Sequence, residues 1–168
     1  MPKNSLAKED TVVQTKLVPV YCIDTSSFIN LKNFPQDIFP TIWLKLEGLA
    51  KNNQLISPAE VYREINQVKD SIYKWCSKHK SMFIDPDANQ ANNLQTIKQQ
   101  YDKHYWDFQI QKTGAWADPW VIALGMSRRG IVVADESMGK NKIPHICQQL
   151  NVEFMDKFGL FRELEVKY

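Results

Sequence analysis

The sequence predicts an α/β fold of three layers, α/β/α, built around a central and mainly parallel sheet. Three observations carry this. Short apolar runs, among them LVPVYCI (17–23) and IVVA (131–134), recur between segments of helical periodicity. The runs are apolar throughout rather than alternating, as strands covered on both faces are. Helix-start chemistry follows strand ends directly, at Asp24-Thr25 and at Ser57-Pro58.

The first strand, LVPVYCI, is short and rich in β-branched residues. Asp24-Thr25-Ser26-Ser27 then starts a short helix reaching about Leu31. Pro35 and Pro40 mark turns before a helix near 38–51, where Ile42, Leu46 and Leu49 stand at helical spacing. LIS (55–57) is a short strand. Ser57-Pro58-Ala59-Glu60 reads as a capping box, with Pro58 at N1 and Glu60 at N3, opening a helix that runs to about Lys78. MFID (82–85) fits a strand or an extended link, and one long polar helix is expected over about 88–110. Asp118-Pro119, an N-cap followed by an N1 proline, opens a largely apolar helix ending before Gly130. After the strand IVVA come a helix in IPHICQQLN (143–151), a strand in VEFM (152–155) and a terminal helix in LFRELEV.

The bulk composition narrows the function classes. A chain of 168 residues, 43% hydrophobic and 24% charged, suits one domain with a real core over 17–168. The polar segment 1–16 has no apolar h-region and reads as a flexible N-terminal arm rather than a secretory signal. No apolar run reaches membrane-span length, so no membrane partner is expected. Cys22, Cys76 and Cys147 are odd in number and widely spaced, which argues against a zinc site or a disulfide framework and for a reducing, cytoplasmic setting. A net charge of +2 does not by itself argue for nucleic acid, so any such contact must come from a local basic surface. The sequence has no GxGxxG, Walker A, HExxH or GxSxG motif, and His79, His104 and His145 form no triad or metal-spaced pair.

The acidic residues are the chemical signal. Asp24 ends the first strand, Glu64 lies in SPAEVYREI, Asp118 opens DPWVIALG, and Asp135–Glu136 end GIVVADE. In a parallel sheet the carboxyl rim is where ligands bind, and a carboxylate cluster there is a hard-oxygen site suited to Mg²⁺ or Mn²⁺. Asp24 and Asp118 can each cap a helix and ligate a cation, since both tasks use a carboxylate at a helix start. Glu60 has the capping box to explain it, whereas Glu64 has no such local task. Adjacent acids at a strand end repel, and a bound cation would offset that repulsion. One of the two points inward and the other out.

On these residues the chain resembles the PIN-domain superfamily of VapC-type toxin ribonucleases, over Val18 to about Val166. The matching motifs are YCIDTSSFI, the Glu64 helix after Ser-Pro, DPWVIALG and VVADE; the segment KIPHICQQLNVEFMD resembles a stand-alone bacterial PIN-like subgroup. Ala134 departs from the pattern, which has Thr there. The resemblance implies an endoribonuclease that hydrolyses RNA with Mg²⁺ or Mn²⁺ held by Asp24, Glu64, Asp118 and Glu136 or Asp135. It also implies Ser26 in support of Asp24, an antitoxin protein as partner, and a possible homodimer. Arg128, Arg129, Lys140, Lys142 and the stretch KWCSKHK (74–80) are the candidate guides for substrate, and Trp116 or Trp120 could stack on a base. A non-catalytic PIN scaffold and a DNA nuclease are the competing readings, because metal chemistry needs only a phosphate.

Overall fold

Five short segments pair as one parallel sheet, whose three central strands are buried on both faces and need helices on each. They are β1 (Tyr21–Ile23), β2 (Leu55–Pro58), β3 (Phe83–Ile84), β4 (Ile131–Val133) and β5 (Phe154–Met155), in the order β3-β2-β1-β4-β5. The computed structural model describes residues 17–167. The arm expected over 1–16 lies outside the described residues. Nine α-helices among the described residues complete an α/β/α sandwich. The first four are α1 (Thr25–Asn30), α2 (Pro40–Lys51), α3 (Ala59–Ile65) and α4 (Ser71–Lys78). The others are α5 (Ala88–Lys98), α6 (Lys103–Gln111), α7 (Asp118–Arg128), α8 (Ile143–Gln149) and α9 (Lys157–Glu163). No helix among the described residues is long and apolar enough to cross a membrane.

The strand order positions the site. Tyr21, Cys22 and Ile23 pair with Ile131, Val132 and Val133 on one side, and Tyr21 and Cys22 with Leu55 and Ile56 on the other. From β1 the chain winds outward to β2 and β3, whereas from β4 it winds the opposite way to β5. The reversal opens a crevice beyond the carboxyl ends of β1 and β4, the place where sheets of this kind bind ligands. Helix α7 packs across β1, β2 and β4, with α5 behind it and α8 beside it. A Cβ on Gly125 would stand 2.6 Å from Val132 Cγ2, so only glycine lets α7 sit this close to β4. Right-handed crossovers place α1 and α2 on the opposite face, where the ring of Phe28 meets Trp75 and Phe83.

Three local expectations are corrected. Ser57 is not an N-cap: it belongs to β2, and its hydroxyl donates to the Ile23 carbonyl (2.6 Å), tying β2 to β1. With the capping box gone, Glu60 pairs with Arg63 instead. The helix expected to reach Lys78 breaks after Ile65, because Asp70 caps a new helix by accepting from the Tyr73 N–H (3.0 Å) and pairs with Lys32. The long polar helix breaks likewise. Tyr101 is buried, and Asp102 caps α6 by accepting from His104 N–H (3.0 Å) and Tyr105 N–H (3.2 Å). In both places an Asp competes with helix continuation by satisfying backbone donors. Asp70→Ala should therefore lower stability by about 1 kcal/mol. Thermal unfolding would show this as a Tm lower by roughly 2–4 °C, and an unchanged Tm would refute the capping role.

Candidate functional site

Asp24 follows the last residue of β1, and its N–H still donates to the Val133 carbonyl (2.8 Å), keeping it locked to β4. It caps α1: Oδ2 accepts from the Ser26 N–H (2.9 Å) and the Ser26 hydroxyl (2.7 Å). Capping accounts for that oxygen alone. The other, Oδ1, is buried and has no hydrogen-bond partner, which leaves a costly acceptor unsatisfied. Ser26 has a second task, since its hydroxyl accepts from the Asp135 N–H (3.0 Å) and so spans the β1 and β4 rims.

Glu64 joins three elements. One oxygen accepts from the Thr25 hydroxyl, next to Asp24, and the other from the Ala117 N–H (2.9 Å), next to Asp118. Asp118 is not the N-cap expected of it. Ala117 holds that position without a side-chain bond, and Asp118 and Pro119 are the first two helical residues. Its carboxyl is thereby relieved of the structural task that sequence would give it.

Electrostatics bind these residues into one group. Burial pushes the Asp118 carboxyl up to about 8, with the negative charges of Asp24, Glu136 and Glu64 adding to it. Burial likewise raises Asp24 to about 6 despite the two bonds from Ser26, and Glu136 and Glu64 push the same way. Glu64 is raised chiefly by burial, against the bonds from Thr25 and Ala117. A set of carboxylates whose ionisation is opposed by burial and by one another is a mark of functional sites and a poor stability device.

The two adjacent acids at the β4 end divide. Asp135 accepts from Ser27 Oγ (3.2 Å), Asn30 Nδ2 (3.0 Å), Lys157 N (2.7 Å) and Lys157 Nζ (2.7 Å), and its side chain is 3% exposed. All four bonds run toward α1 and α9, which corrects its inclusion among the metal ligands: its oxygens are already used. Glu136 is the one whose charge reaches Asp24 and Asp118. Its Oε2 accepts from the Ile143 N–H (2.9 Å) and its Oε1 lies 3.6 Å from Lys142 Nζ.

The candidate guides for substrate are also re-sorted. Arg128 and Arg129 end α7, the far end of a helix that starts at Asp118, about 15 Å along its axis. Arg128 pairs with Asp87. Neither arginine flanks the acids. Lys140 and Lys142 stand nearer, but they pair with Asp102 and Glu136. Sequence reasoning missed Thr25, although it stands beside Asp24, and Tyr101. The Tyr101 hydroxyl is buried without a partner, and its ionisation is pushed up by burial and by Asp118. The indole of Trp116, in ring contact with Tyr101 (5.4 Å), is buried beside Asp118, and its N–H favours the ionised carboxyl against the burial that raises it.

The donor set fits a hard divalent cation: it offers carboxylate oxygens only, one of them, Asp24 Oδ1, orphaned. Among the described residues no three His, Cys, Asp or Glu side chains already stand at metal-ligand spacing. The family model described as "Domain of unknown function (DUF4411)" matches residues 21–168. No curated protein matches the chain.

Proposed function

The chain belongs to the DUF4411 family, and we propose that this member is a PIN-type nuclease that hydrolyses RNA phosphodiester bonds with Mg²⁺ or Mn²⁺. The observation that carries the reading is Asp118, half-buried among three other acids at the strand-order reversal, in one group with the orphaned oxygen of Asp24. When bound, the cation would lower the pKa of a water and offset charge on the phosphate.

The chain's own residues supply the frame. Asp24 and Asp118 are the groups that would hold the cation. Ser26 fixes the Asp24 carboxylate by two donors, leaving Oδ1 to face the ligand. Glu64 holds the start of α7 against the start of α1, so Asp118 and Asp24 keep their relation. With a carboxyl near 8, Asp118 retains its proton at neutral pH until a cation replaces it. Glu136 contributes the fourth negative charge from the β4 side. The toxin role, the antitoxin and the homodimer rest on the resemblance alone.

Purified protein should cleave RNA when Mn²⁺ is added and stop when a chelator is present. Ala134, which removes the family hydroxyl, favours a second reading as a non-catalytic scaffold. RNA binding that is independent of metal and unaccompanied by cleavage would select that reading, and cleavage of DNA alone would change the substrate.

A further inference from the structure

Buried polar atoms without a hydrogen-bond partner are rare in folded proteins, and each calls for an explanation. Among the described residues there are five such side-chain atoms, and three of them gather at the acids. One is Asp24 Oδ1, the acceptor left open for a cation. The other two are donors: the Tyr101 hydroxyl and the indole N–H of Trp116.

The acids differ in how far their own hydrogen bonds are filled. Asp24 accepts twice from Ser26, Glu64 accepts from Thr25 and Ala117, and Glu136 accepts from Ile143. Asp118 is half-buried, and its one donor is the Trp116 N–H, which leans toward the carboxyl without closing a full bond. The idle donors thus stand where a carboxylate lacks them. Of the surrounding charges, that of Asp118 acts most strongly on Tyr101.

Packing keeps the Tyr101 hydroxyl where it is. The side chain is 6% exposed. Its ring meets Trp116 edge-on (5.4 Å), leans on Trp106 (5.5 Å) and stacks on Tyr105 (6.0 Å). The next residue, Asp102, donates its N–H to Asn141 Oδ1 (2.8 Å), which ties this turn to the chain beyond β4. The phenol therefore has no route to water, and a phenylalanine would fill the same space with no orphaned group.

We propose that the Tyr101 hydroxyl, together with the Trp116 N–H, holds the Asp118 carboxylate in place when a divalent cation is bound, which makes Tyr101 a positioning residue. A carboxylate that gives one oxygen to a cation is itself hydrogen-bonded, and losing such a donor costs about 10–100-fold in metal affinity. The proposal rests on the cation reading of the acids and is independent of the substrate.

The test compares the full-length parent with Tyr101→Phe, which keeps the ring and removes only the hydroxyl. Calorimetric titration measures Mn²⁺ affinity, and thermal unfolding in chelator measures the metal-free protein. The variant should bind Mn²⁺ about tenfold more weakly. Without metal it should melt at or above the parent's Tm, because a buried unpaired hydroxyl is gone. A merely structural role predicts the reverse, a lower metal-free Tm and unchanged affinity. In RNA cleavage the variant should need about ten times more Mn²⁺ for its half-maximal rate, and excess Mn²⁺ should restore it. Equal Mn²⁺ affinity in variant and parent overturns the role of Tyr101 and leaves the nuclease reading standing. Mn²⁺ binding that depends on Tyr101, in a parent that cleaves no RNA, keeps the role and removes the nuclease reading. A parent that takes up no Mn²⁺ overturns both.

Discussion

Asp118→Asn should lower Mn²⁺-dependent RNA cleavage by at least about 100-fold, since even residues that merely orient a ligand cost 10–100-fold when lost. The same change should make the metal-free protein more stable near pH 8. In the parent, folding holds the Asp118 carboxyl at about 8 and that of Asp24 at about 6. In the unfolded chain both titrate near 4. The folded state therefore binds more protons between those values, and stability falls as pH rises. The contribution is fully present below about 4 and is lost progressively up to about 8. Asparagine carries no proton there, so the variant's stability should be flatter between pH 5 and 8. Mn²⁺ competes with the same protons, so it should raise the parent's Tm more at pH 8 than at pH 6 and the variant's little at either. Urea melts across pH read the slopes, and thermal melts with and without Mn²⁺ read the Tm shifts. A variant that cleaves like the parent, or that keeps its pH slope, would remove Asp118 from the centre.

The adjacent acids Asp135 and Glu136 should separate as sharply, by their different tasks. Asp135→Ala should destabilise the fold by about 3–5 kcal/mol, because it strands the Lys157 ammonium, whose side chain is 15% exposed. It also leaves the donors of Ser27 and Asn30 without an acceptor. For a chain of this size that is a Tm drop of roughly 10 °C. Glu136→Gln should melt within about 1 kcal/mol of the parent, since a glutamine oxygen can still accept from the Ile143 N–H. It should instead lose RNA cleavage. The opposite pattern, a stable and inactive Asp135 variant beside an unstable and active Glu136 variant, would exchange the two roles.

Much of the fold was legible locally. IVVA and LIS are short, apolar and bounded by polar residues, and both proved to be strands within a residue of their expected ends. Asp24 was legible as a cap because Ser26 lies two residues on, within reach of its carboxylate. The capping box at Ser57 misled because its four residues fit a helix start, while a β1 carbonyl 34 positions earlier claimed the hydroxyl. The breaks at Asp70 and Asp102 escaped for a related reason. A polar helical pattern continues through both, and the competing bonds reach Lys32 and Asn141, far along the chain.

Residue type and short-range periodicity were enough to specify the central strands and which acids stand at their ends, while MFID stayed open between a strand and a link. They could not specify that β4 lies beside β1, so that Asp24, Asp118 and Glu136 share one crevice while Asp135 turns to Lys157. Nor could they place Arg128 and Arg129 remote from that crevice. Strand order and helix direction follow from packing between segments tens of residues apart, and no local pattern encodes which neighbour a strand will take.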